Sequence, residues 1–495
     1  MSAANGTRRL RVVVIGAGMA GILAVIKLDE AGVDDVTVFE KADDVGGTWR
    51  ENTYPGIACD VPSHLYSYSF APNPDWSSTF SPGPEIHAYF ARVAKDYGVL
   101  PRVRFGHEVV RCEWAGSRWT VTVRRTDGES AEEQVECDIV IAATGVLHHP
   151  RIPDFEGLDS FAGAVFHSAR WDHRVPLDGR RIGVIGTGST AVQITSALAR
   201  RAGHYTLFQR TAQWVMPQLN PPYTEEEKAR WRDDPKQLVE LHERLSEAFG
   251  GFARAVIDAQ SAEIQWIEDQ CRANLEENVQ DPELRERLRP DYRAACKRLV
   301  ISPDFYEAIQ APQADLVTDP IERIEPAGVR TADGALHELD VLVLATGFRA
   351  DAFMRPMEVI GRDGHALSDE WAERPNAYLS ITMADFPNFF MLNGPNGPVG
   401  NFSLIEVAEL QMAYVLQLVE QLREGAVAIC PTRAAMEEFE AARVDASQRT
   451  IWVTGCRSWY LDDRGIPATW PWTFDRFREV MRAPDPAAFE VVAGS

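Results

Sequence analysis

Near its N-terminus the chain reads LRVVVIGAGMAGILAVIKLDEAG, an apolar run ending at Ile15 and broken at once by Gly16, Gly18 and Gly21. A strand with apolar residues on both faces belongs inside a parallel sheet. The G-x-G-x-x-G spacing turns it sharply into a helix carrying Ile22, Leu23, Val25, Ile26 and Leu28. The first glycine permits the turn. The second lets backbone N–H groups approach a pyrophosphate, and the third lets helix and strand pack closely. A second strand, VTVFE, ends on Glu40, where a carboxylate can accept hydrogen bonds from a ribose diol. A bare glycine triplet is weak evidence. Strand, turn, helix, strand and terminal acid in this order predict a dinucleotide-binding unit.

The plan recurs once. RIGVIGTGSTAVQITSALA sets Gly186, Gly188 and Ala191 after another apolar strand, with Ser189 and Thr190 opening the helix. The strand that follows ends in Gln209-Arg210-Thr211, and Arg210 has the same offset from Gly186 as Glu40 has from Gly16. A carboxylate there would repel a 2′-phosphate, whereas a guanidinium would bind one. The first unit is therefore expected to take FAD and the second NADPH. DIVIAATG (138–145) and DVLVLATGF (340–348), the latter with Thr346 and Gly347, are buried strands ending in Ala-Thr-Gly. They resemble the crossings between flavin and nicotinamide domains in two-dinucleotide oxidoreductases, which implies that the second domain is inserted in the first.

The expected fold class is α/β, with two Rossmann-like domains and a helical insertion. The expected boundaries are 1–148 and 346–495 for the FAD domain, 151–213 and 296–345 for the NADP domain, and 214–295 for the insertion. In the insertion Leu238, Leu241, Leu245 and Phe249 share one helical face, as do Ile264, Ile267, Cys271 and Leu275, and FGGFA (249–253) reads as a break. NGPNGPVGNFS (393–403) reads as a mobile loop beside a strand.

At 495 residues the chain is too long for one core, and its formal net charge of −23 disfavours nucleic acid and anionic membrane surfaces as partners. No apolar run is long enough for an integral membrane segment. MSAANGTRRL leads directly into a strand without a signal-peptide core, so a cytoplasmic protein is expected. The seven cysteines are scattered without a CxxC pair, which predicts reduced, structural thiols and disfavours a disulfide reductase. His148-His149 lacks metal-ligand spacing, and no metal is expected.

Three further motifs point to a family. Phe161-x-Gly163-x-x-x-His167-x-x-x-Trp171-Asp172 resembles the fingerprint of type I Baeyer–Villiger monooxygenases, with a Trp-Asp ending where N- and S-oxidising flavin monooxygenases differ. GGTWRENTYPGIACD (46–60) matches a second family motif through Gly47, Thr48, Trp49 and its terminal Asp60. ACKRL (295–299) supplies the Lys297-Arg298 pair. The resemblance implies an NADPH- and O2-dependent enzyme that inserts oxygen beside a ketone carbonyl, giving an ester or lactone, with some sulfoxidation.

Such chemistry needs a reduced flavin that traps O2 as a C4a-peroxide and keeps it deprotonated. Arg298 is the expected cation, because arginine does not surrender its proton at working pH. Asp60 would orient Arg298. Lys297 would join Arg210 at the 2′-phosphate, and retained NADP⁺ would shield the flavin from water. Phe161, Gly163, His167, Trp171 and Asp172 are expected on a linker that couples domain motion, without acting in the chemistry. Two alternatives remain open at this point: a heteroatom (N/S) hydroxylating flavin monooxygenase, and a non-catalytic FAD-binding redox sensor.

Overall fold

The computed structural model describes residues 8–128, 131–398, 400 and 402–494. Residues 1–7, on which the reading of the N-terminus partly rests, lie outside that range, as do 399 and 401 in the loop at 393–403.

Two five-stranded parallel sheets form the frame. The first contains β1 (Arg11–Ile15), β2 (Asp35–Glu40), β3 (Val103–Phe105) and β4 (Ile139–Ala142), with helix α1 (Met19–Glu30) after β1 and the single-turn α2 (Thr48–Glu51) after β2. The second contains β5 (Ala164–His167), β6 (Arg181–Ile185), β7 (His204–Phe208), β8 (Ala314–Val317) and β9 (Val341–Leu344), with α3 (Ser189–Leu198) after β6. The chain then returns to the first sheet as β10 (Phe389–Met391). The strand orders are β10-β4-β1-β2-β3 and β8-β7-β6-β9-β5. The fold is thus α/β, with one dinucleotide-binding domain inserted in another. β1 and β6 are buried along four of their five residues, as strands covered by helices on both faces must be.

Four helices, Glu225–Asp233, Lys236–Ile257, Ala262–Asn278 and Pro282–Arg287, lie between the short paired strands Val215–Met216 and Val300–Ile301. Ile264, Ile267, Cys271 and Leu275 are all buried on the third of these, as their spacing predicts. The expected break at FGGFA is not there. Lys236–Ile257 runs unbroken through Gly250-Gly251. A glycine pair costs a helix only about 2 kcal/mol, and burial of Ala253, Ala255 and Val256 just beyond it offsets that cost.

Two other expectations are corrected. The stretch from Phe161 is not a free linker, since β5 is the edge strand of the second sheet and pairs with β9 from Ala164↔Val341 to His167↔Leu344. It is only four residues long and follows Pro150 and Pro153, so it lacks the length that marks a strand in sequence. The cysteines are not all reduced. Cys296 and Cys456 form a disulfide with Cα atoms 6.1 Å apart across 160 residues of chain, a separation that carries no local signal. The other five are buried free thiols.

An unforeseen sheet, Glu358–Ile360 with His107–Trp114, Trp119–Arg125 and Glu132–Cys137, packs against the first one through Trp119 and Phe389, whose rings are 5.4 Å apart. Asn388, at φ +56°, pins the start of β10. Its Nδ2 donates to the carbonyls of Asp138 and Val427, and its Oδ1 accepts from the amide of Ile429. Asn388→Ala leaves these three groups unpaired at a buried site, a cost of roughly 3 kcal/mol. The expected outcome is a thermal-unfolding midpoint lower by several degrees, read by circular dichroism.

Candidate functional site

The two glycine turns open on one cavity of about 1380 Å³. The first turn is built by close backbone contact. A Cβ at Gly21 would sit 1.9 Å from the carbonyl oxygen of Gly16, so only glycine lets α1 pack there. Gly47, at φ +51°, faces Gly18 so closely that a Cβ would lie 3.0 Å from the Gly18 Cα. Among the described residues no side chain caps the N-terminus of α1 at Gly18 or that of α3 at Gly188. By contrast, Thr224, Ser261 and Thr432 cap helices elsewhere. The free N–H groups of α1 and α3 face the cavity beside Gly18 and Gly188, which line it, and make two positive ends suited to phosphates.

Glu40 closes β2 at the cavity wall. Its carboxylate accepts from the amides of Ala17 at 2.8 Å and Ala42 at 2.9 Å. These bonds fix the side chain and leave further lone pairs for hydroxyl donors. Asn393 also lines the cavity, and its buried Oδ1 has no partner among the described residues. The paired glycines, the bare helix end, the fixed acid and the orphaned amide oxygen fit a flavin dinucleotide.

On the opposite wall lie Gly186, Ser189, Thr190, Arg210, Thr211 and Lys297. The Thr187 hydroxyl donates to the Thr211 carbonyl at 2.7 Å and shapes the end of β7. Burial pulls the Lys297 ammonium below its usual pKa, and the neighbouring Arg210 adds to that shift. Two cations held side by side at a bare helix end call for an anion, which fits a nicotinamide dinucleotide bearing a 2′-phosphate.

Between the walls, an Arg298 Nη donates to Asp60 Oδ2 at 2.5 Å. Arg298 has a third of its side chain exposed, towards the cavity that it lines. The Asp60 charge raises its pKa further, so it stays a cation at any working pH. Asp60 leads out of the segment after α2, and Arg298 follows the helical insertion, so the pair spans the two domains. Trp49 donates from its indole to Tyr66 Oη at 3.1 Å, and the rings meet edge to face.

The cavity thus gathers the expected cofactor and catalytic residues, including Thr48, Thr346 and Gly347, and leaves Gly21 behind the turn. The five fingerprint residues lie outside it. His167 ends β5 with its Nδ1 accepting from the Ala169 amide and its Nε2–H donating to the Gly347 carbonyl, each at 3.1 Å. Trp171 is buried edge to face on Phe166, and Gly163 leaves room for the Asp340 carbonyl, 2.3 Å from where its Cβ would be. Phe161 is buried in the core beside Leu342 and Leu344. Asp172 pairs with Arg174, which lowers its pKa to about 2.

Several residues at the site went unread in the sequence. His148 and His149, expected on a linker, line the cavity. Tyr54 donates to Gln193, and Gln193 to the Ala58 carbonyl, a polar seam between the domains. A Cβ at Gly56 would meet the Gln193 carbonyl at 2.5 Å, which accounts for the Pro-Gly beside Tyr54. Phe249, Phe252, Met216 and Phe402 give one end of the cavity an apolar wall, and Trp459 and Tyr460 border it. Among the described residues no cluster could hold a metal, and no helix is long and apolar enough to cross a membrane.

Comparison with known proteins agrees with this geometry. The model of the "Flavin-binding monooxygenase-like" family matches residues 9–356. A Baeyer–Villiger monooxygenase of Streptomyces coelicolor is 40% identical over 490 residues, covering 98% of this chain and 93% of the relative. An uncharacterized monooxygenase of Mycobacterium tuberculosis is 48% identical over 481 residues, covering 97% and 96%. Among solved structures, cyclohexanone monooxygenase from Rhodococcus sp. bound to NADP⁺ superposes with a TM-score of 0.86 at 32% identity, covering 98% of this chain and 99% of that one. A steroid monooxygenase bound to NADP gives 0.87 at 29% identity, covering 98% and 100%.

Burial holds the His167 imidazole below its usual pKa of 6.5, and the bond from Ala169 requires the neutral ring. A depressed histidine pKa means that the unfolded chain binds the extra proton first as pH falls. The contribution to stability is therefore complete above about pH 6.5 and shrinks below it. The protection of the amides at 345–349, taken relative to the intrinsic exchange rate at each pH, is expected to fall between pH 7.5 and 5.5, and His167→Gln is expected to flatten that dependence.

Proposed function

This chain belongs to the flavin-binding monooxygenase-like family, and we propose that, as a Baeyer–Villiger monooxygenase with FAD and NADPH as cofactors, it inserts one oxygen atom from O2 beside a ketone carbonyl. The observation that carries the reading is the Asp60–Arg298 pair, set between two dinucleotide cradles in one cavity. Bound FAD, once reduced by NADPH, supplies the activation of O2.

The chain's own residues do the rest. Gly16, Gly18 and the start of α1 receive the flavin pyrophosphate, and Glu40 takes the ribose hydroxyls. Gly47, Thr48 and Trp49 close over the flavin side of the cavity. Gly186, Gly188, Ser189 and Thr190 receive the second pyrophosphate, while Arg210 and Lys297 hold the 2′-phosphate. Arg298 stabilises the negative charge that develops on oxygen as the carbonyl is attacked, and Asp60 fixes its aim. A permanent cation favours an anionic, nucleophilic oxygen, which suits an electrophilic carbonyl carbon better than an amine. The apolar wall from Phe249 to Phe402 suits a hydrophobic ketone, with sulfides as a secondary substrate. Phe161, Gly163, His167, Trp171 and Asp172 govern how the inserted domain moves while NADP stays in place.

The test is NADPH consumption across linear, cyclic, aryl and steroid ketones, with products identified. Esters or lactones are expected; amine or sulfide oxides without any ester would instead mark a heteroatom hydroxylase. Arg298→Ala is expected to consume NADPH and release hydrogen peroxide with no ester, and normal ester formation would remove Arg298 from the reaction. Arg210→Ala should raise the KM for NADPH roughly tenfold or more, as loss of a charge-assisted phosphate bond implies, and leave the KM for NADH nearly unchanged.

A further inference from the structure

Asp60 is not the only polar group beside Arg298. Tyr460 lines the same cavity, packs in one cluster with the adjoining Leu299, and places its phenol in electrostatic reach of the guanidinium. Tyr460 is buried, and its ring lies between Trp459, with centroids 4.2 Å apart, and Trp452 at 5.5 Å. Its loop is fixed by local bonds, from the Tyr460 amide to Ser458 Oγ and from the Ala468 amide to the Tyr460 carbonyl. The hydroxyl fits only because position 400 is glycine, where a Cβ would stand 1.9 Å from it. The disulfide lies directly behind this contact. Cys296 is two residues before Arg298 and Cys456 four before Tyr460, and both are buried in one cluster with Leu299, Trp452 and Tyr460. Neither sulfur lines the cavity.

We propose that Tyr460 is a positioning residue for Arg298, delivered to it by a loop that the Cys296–Cys456 bridge ties to the Arg298 segment. With Asp60 taking one N–H and Tyr460 another, the planar fork would be held at two points and its remaining N–H groups left facing the cavity. The inference rests on the reading of Arg298 given above. It adds a requirement that the sequence motifs do not contain, namely that the aim of the cation depends on the C-terminal loop.

The experiment uses the FAD-loaded protein and Tyr460→Phe, which keeps the ring and removes the oxygen. Ester formed per NADPH is expected to fall roughly tenfold, as for loss of a hydrogen bond to a charged group, with hydrogen peroxide making up the difference and no parallel rise in the KM for ketone. Independently of turnover, the side-chain NMR signal of Arg298, assigned by its loss in Arg298→Ala, should change from slow to fast guanidinium rotation. An unchanged signal, or wild-type coupling, overturns the proposal. If Tyr460→Phe fails to fold, wild-type protein treated with dithiothreitol decides. The dithiol is oxidised to its cyclic disulfide as the Cys296–Cys456 bond takes up two electrons and two protons, and the Arg298 signal should loosen as in the variant. A signal indifferent to reduction, or a peptide map without a 296–456 link, overturns the role given to the bridge. Should the wild type make no ester from any ketone, the proposed reaction has failed, and the Arg298 signal alone still decides this inference.

Discussion

The hydrogen-bonded ion pair between Asp60 and Arg298 joins two parts of the chain separated by the first three strands of the second sheet and by the helical insertion. A lone guanidinium in a mostly apolar cavity would be costly, and a lone carboxylate there more so. Each makes the other tolerable, and the pair keeps its charge fixed in place. Its net energy is modest, because taking two charges out of water costs much of what their attraction returns. Its worth lies in geometry. One Nη is committed to Asp60, so the plane of the fork is set before any ligand arrives, and a preset dipole costs nothing in reorganisation during a reaction.

Around that pair the walls are made largely of backbone. Glycines at 16, 18, 47, 186 and 188 bring main-chain N–H groups to the surface, and α1 and α3 begin there without side-chain caps. The difference between the walls lies in side chains. One presents Glu40, whose carboxylate is pinned by two amides. The other presents Arg210 and Lys297, the lysine held below its usual pKa chiefly by burial. Nearly identical turns therefore differ in the charge at the end of the second strand and in one lysine carried in from beyond the insertion.

Both turns, both parallel sheets and the gathering of Asp60 with Arg298 were legible in the sequence, because each rests on a local pattern or a motif with fixed spacing. Features that depend on tertiary contact were not. Gly250-Gly251 reads as a break, and only the packing of Ala253 and Val256 keeps the helix whole. β5 reads as a connector because four residues carry no period, and pairing with β9 makes it a strand. The disulfide and the approach of Tyr460 to Arg298 join positions more than 150 residues apart, for which a single sequence holds no sign. The Tyr54–Gln193 seam was half visible, since the Pro-Gly beside Tyr54 is explained only by the helix that it touches.

His167 lies outside the cavity yet bonds to a residue that lines it. Its ring spans the end of β5 and the crossing at Gly347, whose carbonyl also accepts from the Arg151 amide. Thr346 donates to the Arg151 carbonyl on the other side of the same crossing, and Thr346 and Gly347 line the cavity. A rotation of the inserted domain must therefore either carry this knot with it or break bonds within it. Because the imidazole uses both nitrogens, one as donor and one as acceptor, no other neutral side chain of similar size and rigid planar shape fills the position. The crossing is thus held by the ring together with the two bonds to Arg151, and a residue outside the cavity fixes part of its wall.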